Sequence, residues 1–176
     1  MRVVVQRVVS ASVSVAGEDV AAIGAGLLVL AGVGIDDTAA SVDRMAEKVA
    51  GLRIFADQAG RMNVGPLDAG AEVLCISQFT LYGDVRRGKR PSFDRAAPGP
   101  AARPLYERFC EAIEREGLHC ARGVFGAEMA VSLVNDGPVT LVIDSEDLEQ
   151  PRPAWPQWQT GRNVHQHPLP GARPCA

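Results

Sequence analysis

The sequence predicts an α/β domain with mixed β-sheets and two main helices, and three observations carry that expectation. The opening segment alternates apolar and polar residues with the period of a half-buried strand. Two later segments repeat apolar residues at helical spacing. Short apolar runs bounded by Gly, Asn or Asp precede and follow them, as strands do. The 176 residues suit one domain with an appendage, and 47% apolar against 22% charged residues is ordinary globular usage. No apolar run approaches the roughly 18 to 20 residues of a membrane span. The start, MRVVVQRVVSAS, lacks the apolar stretch and small-residue cleavage site of a secretory signal. The expected compartment is the cytoplasm, with no membrane partner.

In the first strand Val3, Val5, Val9, Ala11, Val13 and Val15 share one parity, and Ser10, Ser12 and Ser14 the other. Arg7 falls on the apolar parity. A bulge that resets the register, a solvated strand end, or a guanidinium turned inward to grip carbonyl oxygens would each account for it. Gly17-Glu18-Asp19 turns into a short strand, Val20 to Ile23, and Gly24-Ala25-Gly26 leads to a buried strand, Leu27 to Val33. The glycines match neither G-K-[ST] nor G-x-G-x-x-G, so they are turn residues and not a phosphate cradle. Asp36, Asp37 and Thr38 offer an N-cap. Val42, Met45, Ala46, Val49 and Leu52 follow at helical spacing with charged residues between them.

Arg53 to Phe55 reads as a short extended piece, then a glycine-rich loop through Gly70, then a buried strand Ala71 to Ile76. Gly83 to Pro100 is a loop. A second helix starts near Pro104, tolerated in a first turn, presents Leu105, Phe109 and Ile113, and stops at Gly117. Strands are expected at His119 to Val124, Met129 to Val134 and Val139 to Ile143, with Asn135-Asp136-Gly137-Pro138 as the hairpin turn between the last two. From Ser145 aliphatic periodicity ends, and residues 145–176 hold six of the twelve prolines and both tryptophans. The expectation is a domain over 1–144 and a Pro-rich tail over 145–176, flexible or laid along the surface.

Charge and rare residues narrow the chemistry. With 18 basic and 21 acidic residues, a net charge of -3, no global field draws the chain to nucleic acid, so any such contact is local. The densest basic stretch is the loop with Arg86, Arg87, Lys89, Arg90 and Arg95. Cys75, Cys110, Cys120 and Cys175 show no C-x-x-C pairing, and free thiols are expected instead of a disulfide frame or a zinc site. His165, His167 and Cys175 lack ligand spacing, so no metal and no cofactor is expected. His119 is the one histidine in residues 1–144, which leaves the commonest general base scarce.

Two polar sets stand at strand ends: Ser77-Gln78-Phe79-Thr80 and Asn135 to Thr140. No G-x-S-x-G elbow is present. Hydroxyls, an amide and main-chain N–H groups can position a carbonyl and stabilise an oxyanion, but deprotonate water poorly. Such a set suits an activated substrate such as an ester. It equally reads as the polar cap of a strand.

The segments MRVVVQRVVSASVSV, IGAGLLVLAGV, RIFAD, SQFTL at Ser77 to Leu81, RPSF at Arg90 to Phe93 and SLVNDGPVT at Ser132 to Thr140 resemble the D-aminoacyl-tRNA deacylase family. The match runs in order through nearly all of residues 1–144. The resemblance implies a layered, partly barrel-like sheet arrangement and hydrolysis of the ester joining a D-amino acid to the tRNA 3′ end. Glycine mischarged on alanine tRNA is a second implied substrate. It also implies a homodimer with active sites at the interface. There a cis Gly137-Pro138 peptide of one subunit reaches into the other's pocket and leaves no room for an L side chain.

By the same resemblance Arg7 holds that loop and Met129 joins the chiral-selectivity set. Ser77, Gln78, Phe79 and Thr80 form the catalytic set, with main-chain N–H groups near Phe79 orienting the carbonyl and the substrate's ribose 2′-hydroxyl assisting water. Arg86, Arg87, Lys89 and Arg90 are expected on the tRNA acceptor end. Thr80 matches a family threonine once considered a nucleophile, yet no adjacent base is evident to activate it. The alternatives are a noncatalytic module for the tRNA 3′ end and a threonine-nucleophile esterase of small D-amino acid esters. The chain departs from the family's pattern at Asn63 to Leu67, where Gly65-Pro66 replaces a small polar and an apolar residue.

Overall fold

Strand β1 (Arg2–Val15) is the spine of the molecule. One edge pairs antiparallel with β8 (Ala130–Asp144) along nearly its whole length. The other edge pairs with β3 (Gly26–Gly32) through its first half and with β2 (Glu18–Ile23) through its second. Beyond β3 the sheet continues in parallel through β6 (Glu72–Ser77) to β7 (Cys120–Arg122). β2 comes back over β6 and β7, so the six strands curl into a nearly closed barrel. A separate ribbon joins β4 (Phe55–Ala56) to β5 (Met62–Val64). This computed structural model describes residues 1–151; Trp155, Trp158, His165, His167 and Cys175, which belong to the expected tail, lie outside the described residues.

The sheet is covered on both faces. Helices α1 (Ala39–Ala50) and α2 (Gly99–Arg115) lie on the outer face, where Met45, Val49, Phe109 and Ile113 pack on Val3, Val5, Leu27, Val29 and Val73. Inside the curl, Val8, Ala11, Val13 and Ile23 meet Leu28, Leu74 and Ile76. β3 and β6 contribute to both cores, which explains why they read as unbroken apolar runs instead of alternating ones. α1 begins with a capping box, Thr38 and Ser41 each accepting the other's main-chain N–H. A cap of this kind contributes about 1 kcal/mol. Across the helix pair, Arg108 places Nε and Nη2 on the two Asp43 oxygens at 2.9 and 2.6 Å, and Arg115 adds a contact at 3.2 Å.

Several expectations change in detail. Val5 faces the helices while Val8 and Ala11 both face the inner core, an odd offset that requires a slip in register. That slip occurs in the pairing with β8 between Val8 and Ser10. The bulge therefore sits just after Arg7 and leaves Val9 exposed. Arg7 stays on the Val5 side, its side chain only 13% exposed, so it is not at a solvated strand end.

The expected hairpin at Asn135 to Pro138 is not a hairpin. Thr140 pairs with Gln6 and Asn135 with Val8, so both halves of β8 run the same way along β1 and the residues between them are looped out. α2 starts at Gly99, five residues before Pro104, because Pro98 serves as its N-cap and Pro100 stands where no N–H partner is needed. The glycine-rich loop contains the β4–β5 ribbon, and β7 is shorter than His119 to Val124. A short helix α3 (Ser145–Leu148) follows β8, and Ser145 donates its main-chain N–H to the Met1 carbonyl at 2.7 Å. No helix among the described residues is long and apolar enough to cross a membrane.

Candidate active site

A cavity of about 550 Å³ opens where β3 and β6 end, the edge at which parallel sheets present ligand sites. Ser77 closes β6. The Gln78 main-chain N–H still donates to the Ala31 carbonyl at 2.8 Å, after which the chain leaves the sheet as a 3₁₀ turn, Phe79–Tyr82. No side chain caps the start of this turn, and the first N–H groups of a helical turn have no partner within it. Ser77, Gln78 and Phe79 form one wall of the cavity. Ala97, Pro98, Gly99 and Ala102 around the start of α2, with Tyr106, form another, and Phe125 to Ala127 and Met129 complete it. Phe79 stands at the rim with its ring edge-on to Phe93, centroids 5.0 Å apart.

The wall carries no charged side chain. Its one phenol, Tyr106, donates to the Cys75 carbonyl at 2.8 Å, and burial pushes its pKa well above the ordinary tyrosine value. It is a neutral, committed donor. Met129 reaches the wall because Gly123 has no side chain: a Cβ there would lie 2.7 Å from the Met129 sulfur. Thr80 does not line the cavity; its Oγ1 accepts from Gln78 Nε2 at 2.5 Å. His119 is exposed and also away from the wall.

Arg7, Asp136, Gly137 and Pro138 form a second cluster that does not line this cavity. Arg7 Nη1 donates to the Ile54 carbonyl, so the guanidinium does turn inward to grip a main-chain oxygen. Its Nε lies 2.8 Å from Asp136 Oδ2, an ion pair whose N–H is not aligned for a hydrogen bond. Gly137 has φ +109°, and a Cβ on it would meet Arg7 Nη2 at 2.8 Å and Val139 Cγ2 at 2.9 Å. The Gly137-Pro138 peptide is cis. At the neck of the loop, Thr140 Oγ1 accepts from Asn135 Nδ2 at 3.0 Å and from Gln6 Nε2 at 3.3 Å. The sequence-derived set is thus split. Ser77, Gln78, Phe79 and Met129 come together, and Arg7, Gly137 and Pro138 stand elsewhere.

The basic loop reaches the cavity rim through Phe93 and is pinned at its base by the bridge between Asp84 and Ser92. Arg86 folds back so that its Nε lies 2.9 Å from both Asp84 oxygens, and its hydrogen bonds hold that carboxyl down at about 2. Arg87, Lys89 and Arg90 are exposed and make no ion pair among the described residues. Tyr106, Phe125, Ala97, Pro98, Gly99 and Ala102 escaped the sequence reading. They are apolar or helical residues whose pattern signals packing, and only the fold shows that they leave space.

The family described as D-Tyr-tRNA(Tyr) deacylase matches residues 4–144. A D-aminoacyl-tRNA deacylase of Desulfitobacterium hafniense is 59% identical over 146 residues, covering 83% of this chain and 98% of the relative. One of Roseiflexus castenholzii is 55% identical over 152 residues, covering 86% and 97%. Among solved structures, one titled c-Myc DNA Unwinding Element Binding Protein superposes with a TM-score of 0.76 at 41% identity, covering 82% of this chain and 98% of that one. A probable eukaryotic D-amino acid tRNA deacylase shares the fold, with a TM-score of 0.70 at 17% identity over 81% of this chain and 97% of that one.

Proposed function

This chain belongs to the D-Tyr-tRNA(Tyr) deacylase family, and from that premise we propose that it removes D-amino acids from tRNA in a site built from main chain and completed by a second subunit. It is a hydrolase of the ester in D-aminoacyl-tRNA. The observation that carries the mechanism is the cavity wall. It offers hydroxyl, amide and main-chain groups, no charged residue, and a phenol already committed to Cys75. Nothing on it can serve as a general base near neutral pH.

In this reading the ester carbonyl lies against the uncapped N–H groups at Phe79, with Ser77 and Gln78 beside it. Developing negative charge on the carbonyl oxygen is stabilised there, and such donors are each worth about 10²–10³ in rate. Water bonds to the carbonyl carbon and the ester bond breaks. The ribose 2′-hydroxyl relays the water proton to the departing 3′-oxygen, leaving a free D-amino acid and tRNA with its 3′-hydroxyl restored. Thr80 orients Gln78 and does not attack.

Chirality would be read by the partner's copy of the loop. Gly137 and Pro138 do not line their own cavity, and β8 beside them exposes Leu133, Val134 and Val142, apolar surface suited to a homodimer. Main-chain carbonyls packed around the substrate's α-carbon exclude an L side chain and admit a D side chain or a hydrogen. Glycine on alanine tRNA passes the same filter. The tRNA end would be held by Arg87, Lys89 and Arg90, with Arg86 in support, and a tRNA substrate puts the enzyme in the cytoplasm.

The test compares Thr80→Ala with a substrate whose terminal ribose is 2′-deoxy. Turnover should survive the substitution within about tenfold and fall about 10²-fold or more without the hydroxyl. Loss of turnover in Thr80→Ala with normal reaction of the 2′-deoxy substrate would overturn the reading.

A further inference from the structure

The 3₁₀ turn that carries Phe79 and Thr80 is fastened at its far end by a device lying outside the cavity. Arg2 Nη1 donates to the Leu81 carbonyl at 2.8 Å. The same guanidinium places Nε and Nη2 on Asp144 Oδ2 at 2.8 and 2.7 Å, and its carbon lies over the Tyr82 ring at 4.9 Å from the centroid. Tyr82 is buried over two glycines: a Cβ on Gly34 would lie 2.6 Å from its hydroxyl, and one on Gly32 3.4 Å from Cδ2. Asp144 is held in turn, its other oxygen accepting from the Glu146 main-chain N–H at 3.1 Å.

At its near end the turn has only the Gln78 bond to Ala31 and no side-chain cap. Its own closures are Leu81 N–H to Gln78 at 3.3 Å and Gly83 N–H to Thr80 at 2.9 Å, and neither ties it to the sheet. The position of the N–H groups at Phe79 relative to β6 is therefore fixed by Gln78 on one side and by Arg2 with Tyr82 on the other. A flat guanidinium fork can serve a carbonyl, a carboxylate and a ring face together.

We propose that Arg2 is a positioning residue for deacylation, clamping the Phe79–Tyr82 turn to the end of β8 so that its main-chain donors stay aimed into the cavity. The proposal rests on the reading of Ser77 to Phe79 as the catalytic edge. It assigns Arg2 no contact with substrate. Its loss should act on the chemical step and leave ground-state binding nearly intact, since donors aimed at a developing oxyanion matter most in the transition state.

Steady-state turnover of D-tyrosyl-tRNA by the full chain tests it. Arg2→Met should lower kcat about tenfold with KM within about twofold, and Arg2→Lys, which keeps the charge and one donor but not the fork, should recover only part of that loss in kcat. Asp144→Asn should lower kcat in the same direction, and the double variant should be no slower than Arg2→Met, as expected of groups acting through one clamp.

Unchanged kcat in Arg2→Met would overturn the proposal. So would a loss that lysine does not recover even in part and that follows the melting temperature across the series. If Arg2→Met fails to fold, Arg2→Lys and Asp144→Asn decide by the same split between kcat and KM. Ala97→Trp, which fills the cavity, runs alongside. If it folds and turns over normally, the catalytic edge is misplaced and both readings fall; if it is inactive while Arg2→Met keeps full kcat, only the clamp fails.

Discussion

Arg7 and Gly137 show how much two side chains can decide. Arg7 breaks the alternation of β1, and that anomaly alone marks it as unusual in the sequence. Its reason lies in Asp136 and Ile54, more than a hundred and nearly fifty residues away, which no local pattern reports. Gly137 carries a left-handed backbone in a space too small for a methyl group. Gly137→Ala is expected to push Arg7 and Val139 aside and deform the loop. If the loop reads chirality, the ratio of D- to L-tyrosyl-tRNA turnover should fall at least about tenfold, with kcat for the D substrate less affected. Parallel single-turnover assays on both substrates check it. An unchanged ratio would remove the loop from the selectivity device.

At the scale of elements, legibility followed the range of the interactions. α1, with its cap and its 3.6-residue repeat, was readable because everything that makes it a helix lies within it. The looped-out β8 was not. Asn, Asp, Gly and Pro favour a tight turn wherever they occur, and what prevents a hairpin is that β1 is long enough to pair with both halves. The start of α2 was hidden by its prolines, which are tolerated there because first-turn N–H groups have no helical partner.

The contact between α1 and α2 gives a pH test. Hydrogen bonds from Arg108, aided by Arg115, hold the Asp43 carboxyl below its ordinary value in the folded protein. A group depressed on folding stabilises above its unfolded pKa of about 3.9, and loses that contribution as pH falls through the lower folded value. The pair is partly exposed, so Asp43→Asn should cost only about 0.5–1 kcal/mol at pH 7. In urea unfolding the difference from the parent should narrow as pH drops through the carboxylate range. A difference that grows on acidification would contradict the assignment.

Over the whole molecule, the balance of charges was informative and the partner was not. A net charge of -3 argues against bulk attraction to nucleic acid, and the loop from Arg86 to Arg90 is the densest basic stretch of the chain. The structure adds that Arg86 is already occupied by Asp84. Charge reversal at Arg87 and Arg90 should therefore weaken tRNA binding more than reversal at Arg86. The loss should be larger at low salt, with the slope of log K against log salt shrinking by about 0.7–0.9 for each phosphate contact removed. Filter binding across a salt series measures it, and equal losses at every salt concentration would sink the assignment of this loop to phosphates. A second subunit, which the proposed function calls for, is implied by the sequence only through resemblance. Apolar residues on an outer strand look the same in a pattern whether they face a core or another chain.

The neutral wall of the cavity bears on breadth of substrate. A pocket that distinguished aspartate from lysine or tyrosine would need a counter-charge or a tailored slot for the side chain. This wall has no charge, and its polar side chains are only those of Ser77, Gln78 and Tyr106. In the proposed reading it senses handedness at one carbon and takes little account of what is attached beyond. One such protein would then serve many amino acids, and the burden of knowing which tRNA is which would stay with the enzymes that load them.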